Sequence, residues 1–308
     1  MRIASLQPYL TDLIVFYGGA SALCGVSHRC RVSGEAFHPK KVTEAGTRPS
    51  APKTDEERLI AGLCVDKVSI SALVDARPDL IVTRCEEADP IAFIAWAEEY
   101  LLKRAGQKIG IKHFPVETMQ SLYATYEEVG ELVGKGRVGR DLAQRTKAQI
   151  QDWVQNFYER SRNKKVTVLS SAQPLCLATG LVADLVKSMT GQPQERDEAK
   201  RALPFSWDEV VSFRSDVIIV APCGASLEES VRALKILEAI PEWEAVPAVK
   251  RGEVVFCSGQ SLYEPGPNFI RSAALVMSAM AALDSGYITE KDEYFRLRFL
   301  ELHRHRFV

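Results

Sequence analysis

Residues 117–164 read ETMQSLYATYEEVGELVGKGRVGRDLAQRTKAQIQDWVQNFYERSRNK, and the rest of the chain is organised around this stretch. In its first part, apolar side chains recur with the spacing of a helix that buries one face, at Leu122, Tyr126, Val129 and Leu132. Several glycines interrupt the pattern, and a second apolar run follows at Leu142, Ile150, Trp153, Val154 and Phe157. A helix over 138–161 would be roughly 36 Å long at about 1.5 Å per residue, enough to span two lobes. We therefore predict that residues 117–164 form a connecting helix.

A repeated pattern lies on either side of this connector. The segment ISALVDARPDLIV at 70–82 has a counterpart in WDEVVSFRSDVII at 207–219. Each consists of a short amphipathic segment, an Arg-x-Asp turn and an apolar run of strand length that ends near a cysteine, Cys85 or Cys223. Repeats that flank a connector predict two similar lobes with a ligand cleft between them.

Segments of strand and helix character alternate along both halves of the chain. This alternation predicts an α/β fold with mostly parallel sheets. We assign residues 1–116 to an N-terminal α/β lobe, 117–164 to the connecting helix and 165–308 to a C-terminal α/β lobe. Residues 31–58 are rich in turn-forming and charged residues without periodicity, so we predict a long loop there.

Composition limits the classes of function. The 308 residues carry a net charge of −1 and no basic block, which argues against a nucleic-acid partner. The longest apolar run, 273–283, is too short to cross a bilayer, so no membrane insertion is expected. Seven scattered cysteines indicate a reducing compartment. As written, the chain has no signal sequence and is expected in the cytoplasm; removal of an upstream signal would place it in the periplasm or at the cell surface.

Candidate binding residues come from the predicted strand ends, because parallel sheets present ligands at the carboxyl ends of their strands. Six residues fall at these ends: Gln7, His28, Cys85, Gln173, Cys223 and Tyr263. Neighbouring positions add Pro8, Tyr9, Cys30, Leu181 and Gly224. Hydrolase, phosphate-loop and zinc-protease motifs are absent from the sequence, so we expect a binding protein without catalytic residues or a catalytic cofactor.

Seven segments of the chain carry a resemblance to a known family. The matching segments are SLQP (5–8), GVSHRC (25–30), RPDLIV (77–82), ATGLVADLV (178–186), APCG (221–224), PAVKRG (247–252) and PGP (265–267). Together they resemble the cobalamin-binding proteins of ABC importers, which belong to the class III superfamily with a helical backbone. The resemblance implies two Rossmann-like lobes joined by a single long helix and a corrinoid such as cobalamin bound between them. The same superfamily also takes siderophores, haem and metal ions.

The resemblance also implies a partner. In importers of this family, acidic residues on each lobe dock onto basic residues of the ABC permease, and Glu86, Glu87, Glu228 and Glu229 occupy such positions here. The protein is expected to act as a monomer. Two departures from the family pattern stand out: Leu181 replaces an aromatic residue, and Glu264 and Asn268 stand where arginines flank the PGP segment.

His28 is the candidate metal ligand, since a neutral imidazole could bind the cobalt of a corrinoid. The alternative function is a cytoplasmic metal- or tetrapyrrole-handling protein that uses His28, Cys30, Cys85 and Cys223. A purely structural explanation also stays open, in which His28 is a loop histidine and the cysteines are buried thiols.

Overall fold

The computed structural model describes residues 1–30, 38–196, 205–284, 286–290 and 293–297. The chain divides into two compact units. The N-terminal unit comprises Met1–Val116 and Ser121–Ala143, and the C-terminal unit comprises Glu117–Gln120 and Gln144–Val308. Part of the predicted connector therefore belongs to each unit. The division into 1–116, 117–164 and 165–308 that the sequence suggested stays a prediction.

The N-terminal unit is built on a parallel sheet. Its strands are β1 (Ile3–Ser5), β2 (Leu23–Val26), β3 (Lys40–Lys41), β4 (Thr43–Thr47), β5 (Asp66–Val68), β6 (Leu80–Thr83) and β7 (Gly110–His113). Its first four helices are α1 (Pro8–Phe16), α2 (Asp55–Leu63), α3 (Ile70–Asp75) and α4 (Pro90–Ala105). Five strands form the sheet in the order β3-β2-β1-β6-β7, all parallel, and β4 pairs with β5 in a separate antiparallel ribbon.

Local sequence explains where the elements of this unit begin and end. Asp89 caps α4 by accepting a hydrogen bond from the Ala92 amide at 3.0 Å, and Pro90 occupies the first turn. The helix ends at Gly106, whose φ of 69° lies in the left-handed region that glycine adopts without strain. The central strand β1 is buried along its whole length, as expected for a parallel strand covered on both faces.

The predicted connector consists of two helices, α5 (Met119–Leu132) and α6 (Gly136–Ser161). The break falls among the interrupting glycines, where Gly134 has a φ of 71°. A Cβ added to Gly139 would lie 2.4 Å from the Tyr126 carbonyl oxygen, so glycine permits the close approach of the two helices. The buried face of α6 repeats every three or four residues, at Gly139, Ala143, Thr146, Ile150 and Trp153.

The C-terminal unit contains the second sheet. Its strands are β8 (Lys165–Ala172), β9 (Leu175–Leu177), β10 (Gln192–Pro193), β11 (Val217–Val220), β12 (Val254–Cys257) and β13 (Tyr294–Leu297). Its helices are α7 (Leu181–Ser188), α8 (Trp207–Phe213), α9 (Leu227–Arg232), α10 (Leu234–Glu238), α11 (Pro247–Lys250), α12 (Gly259–Leu262) and α13 (Phe269–Met280). The strand order is β10-β8-β11-β12-β13; β13 is antiparallel to β12, and β9 is an antiparallel branch on β8.

The two sheets share one strand order. In the N-terminal unit four of the five parallel strands run β2-β1-β6-β7, and in the C-terminal unit four parallel strands run β10-β8-β11-β12. In each case the first strand in sequence lies between the second and the third. The repeated segments at 70–82 and 207–219 form α3 with β6 and α8 with β11, so both supply the third, in chain order, of these four strands. The predicted α/β fold with parallel sheets is confirmed.

One prediction about the N-terminal unit is wrong. Within the predicted loop at 31–58, the structure forms β3 and β4 and begins α2, whose N-terminus is capped by the Thr54 hydroxyl. Strands of two and five residues carry too little periodicity to be detected from sequence. Residues 31–37 of this stretch lie outside the described part of the chain. Among the described residues, the helices fall short of the length and apolar character needed to span a bilayer.

Candidate functional site

The carboxyl edge of the N-terminal sheet brings three predicted residues to neighbouring loops. Gln7 follows β1, His28 follows β2 and Cys85 follows β6. Because β2, β1 and β6 are adjacent and parallel, their loops emerge along one edge of the sheet. The structure therefore places these residues on the edge where α/β proteins bind their ligands.

His28 is held by a single hydroxyl group. Its backbone N–H donates to the Thr43 Oγ1 at 2.8 Å, and its ring Nδ1 lies 2.8 Å from the same oxygen. The ring is half-buried, and Nε2 makes no hydrogen bond to the described residues. Lys41 fixes the same loop by donating to the carbonyl oxygens of Ser27 at 3.3 Å and Cys30 at 2.6 Å. A fixed imidazole with one unbonded nitrogen has the form of a metal ligand.

Gln7, Pro8 and Tyr9 form the start of α1. The Gln7 carbonyl accepts the Thr11 amide at 3.1 Å, and Pro8 occupies the first turn. Tyr9 is buried and donates its hydroxyl to the Phe114 carbonyl oxygen at 3.0 Å, and burial raises its pKa. The structure thus places these three residues in the packing beneath the sheet edge, and their predicted contact with a ligand stays a prediction.

The two thiols of this edge are buried. Cys30 donates its thiol to the Thr11 Oγ1 at 3.2 Å, and burial raises its pKa. Burial, together with the charges of Glu86 and Glu87, raises the pKa of Cys85 to about 12. The structure thus accounts for both thiols as buried side chains of this edge. Across the described residues, no three His, Cys, Asp or Glu side chains are grouped to hold a metal ion.

The carboxyl edge of the C-terminal sheet has a groove with a volume of about 460 Å³. Gln173, in the turn between β8 and β9, and Cys223 and Gly224, after β11, line it and are exposed. The Cys223 amide donates to the Ser170 carbonyl at 3.0 Å, which fixes the loop to the end of β8. Three of the predicted residues therefore meet at one groove.

Two further predicted residues of this unit lie deeper. Leu181, the first residue of α7, is 8% exposed and belongs to the buried core. Tyr263 follows α12, and its buried hydroxyl has no hydrogen-bond partner among the described residues. Burial, followed by the neighbouring thiols of Cys223 and Cys257, raises the pKa of Tyr263. A buried hydroxyl group without a hydrogen-bond partner is energetically costly. Tyr263 is therefore a candidate to donate a hydrogen bond to a ligand at this edge.

The loop that follows β11 and carries Cys223, here called the groove loop, packs closely against a glycine. A Cβ added to Gly259, at the start of α12, would lie 1.9 Å from the Pro222 carbonyl oxygen. This separation is far below any van der Waals contact, so the loop that carries Cys223 packs directly on the backbone of Gly259. The sequence gives no signal for this role, because one glycine in a Ser-Gly-Gln turn resembles many others.

The four acidic residues predicted to dock differ in availability. The Glu86 side chain is only 16% exposed and lies 3.7 Å from Arg48, while Glu87 is half-buried. Glu229 closes a capping box on α9 by accepting the Ser226 amide at 2.8 Å, and this bond lowers its pKa. The Glu228 side chain is 78% exposed and pairs with Arg232 one helical turn away at 2.5 Å. Glu228 and Glu229 are thus both exposed, but the carboxylate of Glu229 is engaged in the helix cap.

Comparison with models of known protein families identifies the family to which this chain belongs. The sequence model described as "Periplasmic binding protein" matches residues 53–260, more than half of the chain. This chain belongs to the periplasmic binding protein family. A search of curated protein sequences returned no match.

Solved structures of periplasmic binding proteins share its fold. An ABC transporter substrate-binding protein from Listeria monocytogenes is 13% identical, with a TM-score of 0.66 over 91% of this chain and 98% of that one. The periplasmic vitamin B12 binding protein BtuF of Vibrio cholerae is 17% identical, with a TM-score of 0.64 over 91% and 96%. The periplasmic heme-binding protein RhuT from Roseiflexus is 19% identical, with a TM-score of 0.61 over 91% and 98%.

The hydrogen-bonding group around His28 was identified only in part from the sequence. Sequence reasoning identified His28 but missed Thr43 and Lys41, because both lie in the stretch taken for a loop. Lys40 and Glu44 flank this pair and only Val42 between them is apolar, so the segment lacks the alternation that is typical of a strand.

Proposed function

We propose that this periplasmic binding protein binds a corrinoid and delivers it to an ABC permease. The observation that carries the proposal is His28, whose Nδ1 is held by Thr43 while Nε2 is unbonded at the carboxyl edge of the sheet. A neutral imidazole displaces the weakly held water from the cobalt of aquocobalamin. The resemblance of the sequence segments to cobalamin-binding proteins supports the same ligand.

The neutral polar groups in the lining of the C-terminal groove also support a corrinoid. The neutral groups Ser171 and Gln173 line it, and its two charged residues are engaged, Glu229 in the capping box and Arg232 with Glu228. Corrinoids carry amides around their ring, and neutral side chains and backbone groups satisfy amides well. A haem carries two carboxylates instead, for which unpaired cations are the usual partners.

Haem is the second candidate ligand. An unbonded imidazole nitrogen ligates haem iron as readily as cobalt, so His28 alone does not separate the two chromophores. The alternative of a cysteine-based metal site has weaker support, because Cys30 and Cys85 are buried thiols with raised pKa values. The protein is proposed to act without catalysis, as a monomer, outside the cytoplasmic membrane.

The test is a titration of the purified protein with aquocobalamin, dicyanocobinamide and haemin, followed by visible absorption and calorimetry. We expect aquocobalamin to bind with a shift of its visible bands, and His28→Ala to lose the shift. The exposed histidine His38 provides the control, since His38→Ala should behave as wild type. A spectrum unchanged by binding would remove His28 from the ligand role. Tight binding of haemin and no binding of corrinoids would replace the first candidate by the second.

Docking to the permease is proposed to involve Glu228, an exposed member of the acidic set that takes no part in a helix cap. The measurement is uptake of labelled cobalamin by cells that carry the protein and its permease. We expect Glu228→Lys to reduce uptake while ligand binding by the purified variant is unchanged. Glu238→Lys, another exposed charge reversal on the same unit, is the control. Equal uptake by the two variants would exclude this docking role.

A further inference from the structure

Three side chains, those of Thr43, Ser27 and Asp66, form a chain of hydrogen bonds that ends at His28. The Thr43 Oγ1 lies 2.8 Å from the His28 Nδ1 and donates to the Ser27 Oγ at 3.1 Å. The Ser27 hydroxyl in turn donates to the Asp66 Oδ2 at 3.4 Å. Ser27 and Thr43 are buried, at 0% and 3% exposure, and the Asp66 side chain is 15% exposed. The order of this chain, from the carboxylate outward, is Asp66, Ser27, Thr43 and His28.

The carboxylate gives the chain a direction. The Asp66 Oδ2 accepts from the Arg29 Nε at 2.9 Å and from the Ser27 hydroxyl, so the Ser27 proton points to the carboxylate. The Ser27 oxygen then accepts from Thr43, as it also does from the Arg29 amide at 3.3 Å. With its one proton used on Ser27, the Thr43 oxygen can only accept from His28, both from the backbone N–H and from the ring. The Nδ1 of His28 must therefore carry a proton.

We infer that the Asp66–Ser27–Thr43 chain fixes the tautomer of His28 and so makes Nε2 the metal-binding atom. In a neutral imidazole, a proton on Nδ1 leaves the lone pair on Nε2, the nitrogen without a hydrogen bond to the described residues. The ion pair with Arg29, 2.9 Å from the Asp66 Oδ2, holds this carboxylate in place at the head of the chain. Thr43, Ser27 and Asp66 are thus positioning residues, and this inference rests on the proposed ligand role of His28.

The tautomer is measured first in the free protein, by two-bond ¹H–¹⁵N correlation spectra of the His28 ring. Wild type is expected to show a protonated Nδ1 and an unprotonated Nε2. Ser27→Ala removes the link to Asp66 and allows the Thr43 proton to turn towards Nδ1, so the population should move towards the Nε2–H form. Ser21→Ala, at an exposed serine of the same unit, should leave the spectrum unchanged. A wild-type ring protonated on Nε2 would overturn the inference.

The second measurement follows the ligand. Loss of a hydrogen-bond partner of a metal-binding histidine costs about 10- to 100-fold in metal affinity. We therefore expect Thr43→Val to weaken aquocobalamin binding by that factor and to reduce the spectral shift. Thr43→Ser, which restores the hydroxyl, should recover both, and thermal melts check that all variants fold. Full affinity and a full shift in Thr43→Val would overturn the inference.

The two proposals fail in distinguishable ways. If wild type binds neither corrinoid nor haem, or binds without a spectral shift, the proposed function fails whatever the tautomer. If wild type shows the shift and Ser27→Ala and Thr43→Val both keep it at full affinity, His28 is a ligand and the positioning chain is wrong. Parallel loss of the Nδ1–H tautomer and of the spectral shift across the variants supports both.

Discussion

At the scale of single residues, the seven cysteines differ mainly in burial. Cys30, Cys64, Cys85 and Cys257 are buried, whereas Cys176 and Cys223 are exposed. Burial raises the pKa of Cys64, Cys85 and Cys257 from 9.0 to about 12. Such a change lowers the thiolate fraction about a thousandfold at pH 8, and the thiolate is the reactive form.

This difference predicts a labelling pattern. With a thiol reagent at pH 8, Cys176 and Cys223 should react rapidly in the native protein, and the four buried cysteines should react only after unfolding in guanidinium. Peptide mass spectrometry of the labelled sites is the measurement. Double substitution of Cys176 and Cys223 by Ser should remove the rapid phase. Rapid native labelling of Cys85 would contradict the burial described for this edge.

Gly259 offers a second residue-scale prediction. Gly259→Ala would place a Cβ 1.9 Å from the Pro222 carbonyl oxygen, so the groove loop or α12 must shift. We expect a loss of about 1–3 kcal/mol in the free energy of unfolding, the usual cost of overpacking. Gly266→Ala is the matched control, because the nearest atom to its added Cβ is 3.8 Å away. The two are compared by urea denaturation, and equal stability would show that the loop yields without cost.

At the scale of elements, the helical spacing of apolar residues predicted several buried positions of α5 and α6. The buried positions Leu122, Tyr126 and Val129 of α5, and Ile150 and Trp153 of α6, are those that the apolar spacing indicates. The division of the connector into two helices depends on Gly134 and on the close contact at Gly139, which are matters of backbone geometry. Periodicity alone shows that a pattern is interrupted and leaves open whether the helix bends or ends there.

Trp153 tests the buried face of α6. It is 9% exposed, and truncation of a buried aromatic side chain costs about 3–5 kcal/mol. We expect Trp153→Ala to lower the free energy of unfolding by this amount in chemical denaturation. Tyr158→Ala, at a position 45% exposed on the same helix, should cost far less. Unchanged stability together with lost ligand binding would move Trp153 from the core to the ligand site.

The candidate site was predictable only in part. His28 could be identified because it follows an apolar strand within a segment that resembles a known family. Thr43 could not, since it lies 15 residues away in a stretch whose short strands leave almost no pattern. Likewise, Tyr9 falls at a strand end in sequence, yet its hydroxyl bonds to the distant Phe114 carbonyl. Long-range hydrogen bonds of this kind become visible only in three dimensions.

At the scale of the whole molecule, the fold is shared with proteins that bind vitamin B12 and heme. Fold alone therefore does not select the ligand. The α/β class and the repeated halves could be derived from alternation and internal similarity, and both sheets follow the same strand order. We propose that ligand identity depends instead on a few side chains at the sheet edges, such as His28 and Gln173.

Ligand binding should be visible as a gain in stability. A ligand that binds only the folded state stabilises it by about 2.7 kcal/mol at a free concentration of 100 times its Kd. We expect aquocobalamin to raise the midpoint of thermal unfolding in proportion to the logarithm of its concentration. His28→Ala should require a higher concentration for the same rise. A midpoint that does not respond to cobalamin would contradict specific binding to the native protein.

The common strand order has a consequence for the time that each amide takes to exchange its hydrogen with solvent. Strands β6 and β11 each lie between two parallel neighbours, and β11 is buried along its whole length. Amides in such strands exchange only through the rarest openings of a protein. In deuterated buffer, the amide protons of β6 and β11 should therefore be among the last to exchange. One set comes from each half of the chain, and both should remain long after the amide protons of the edge strands β3 and β13 have exchanged.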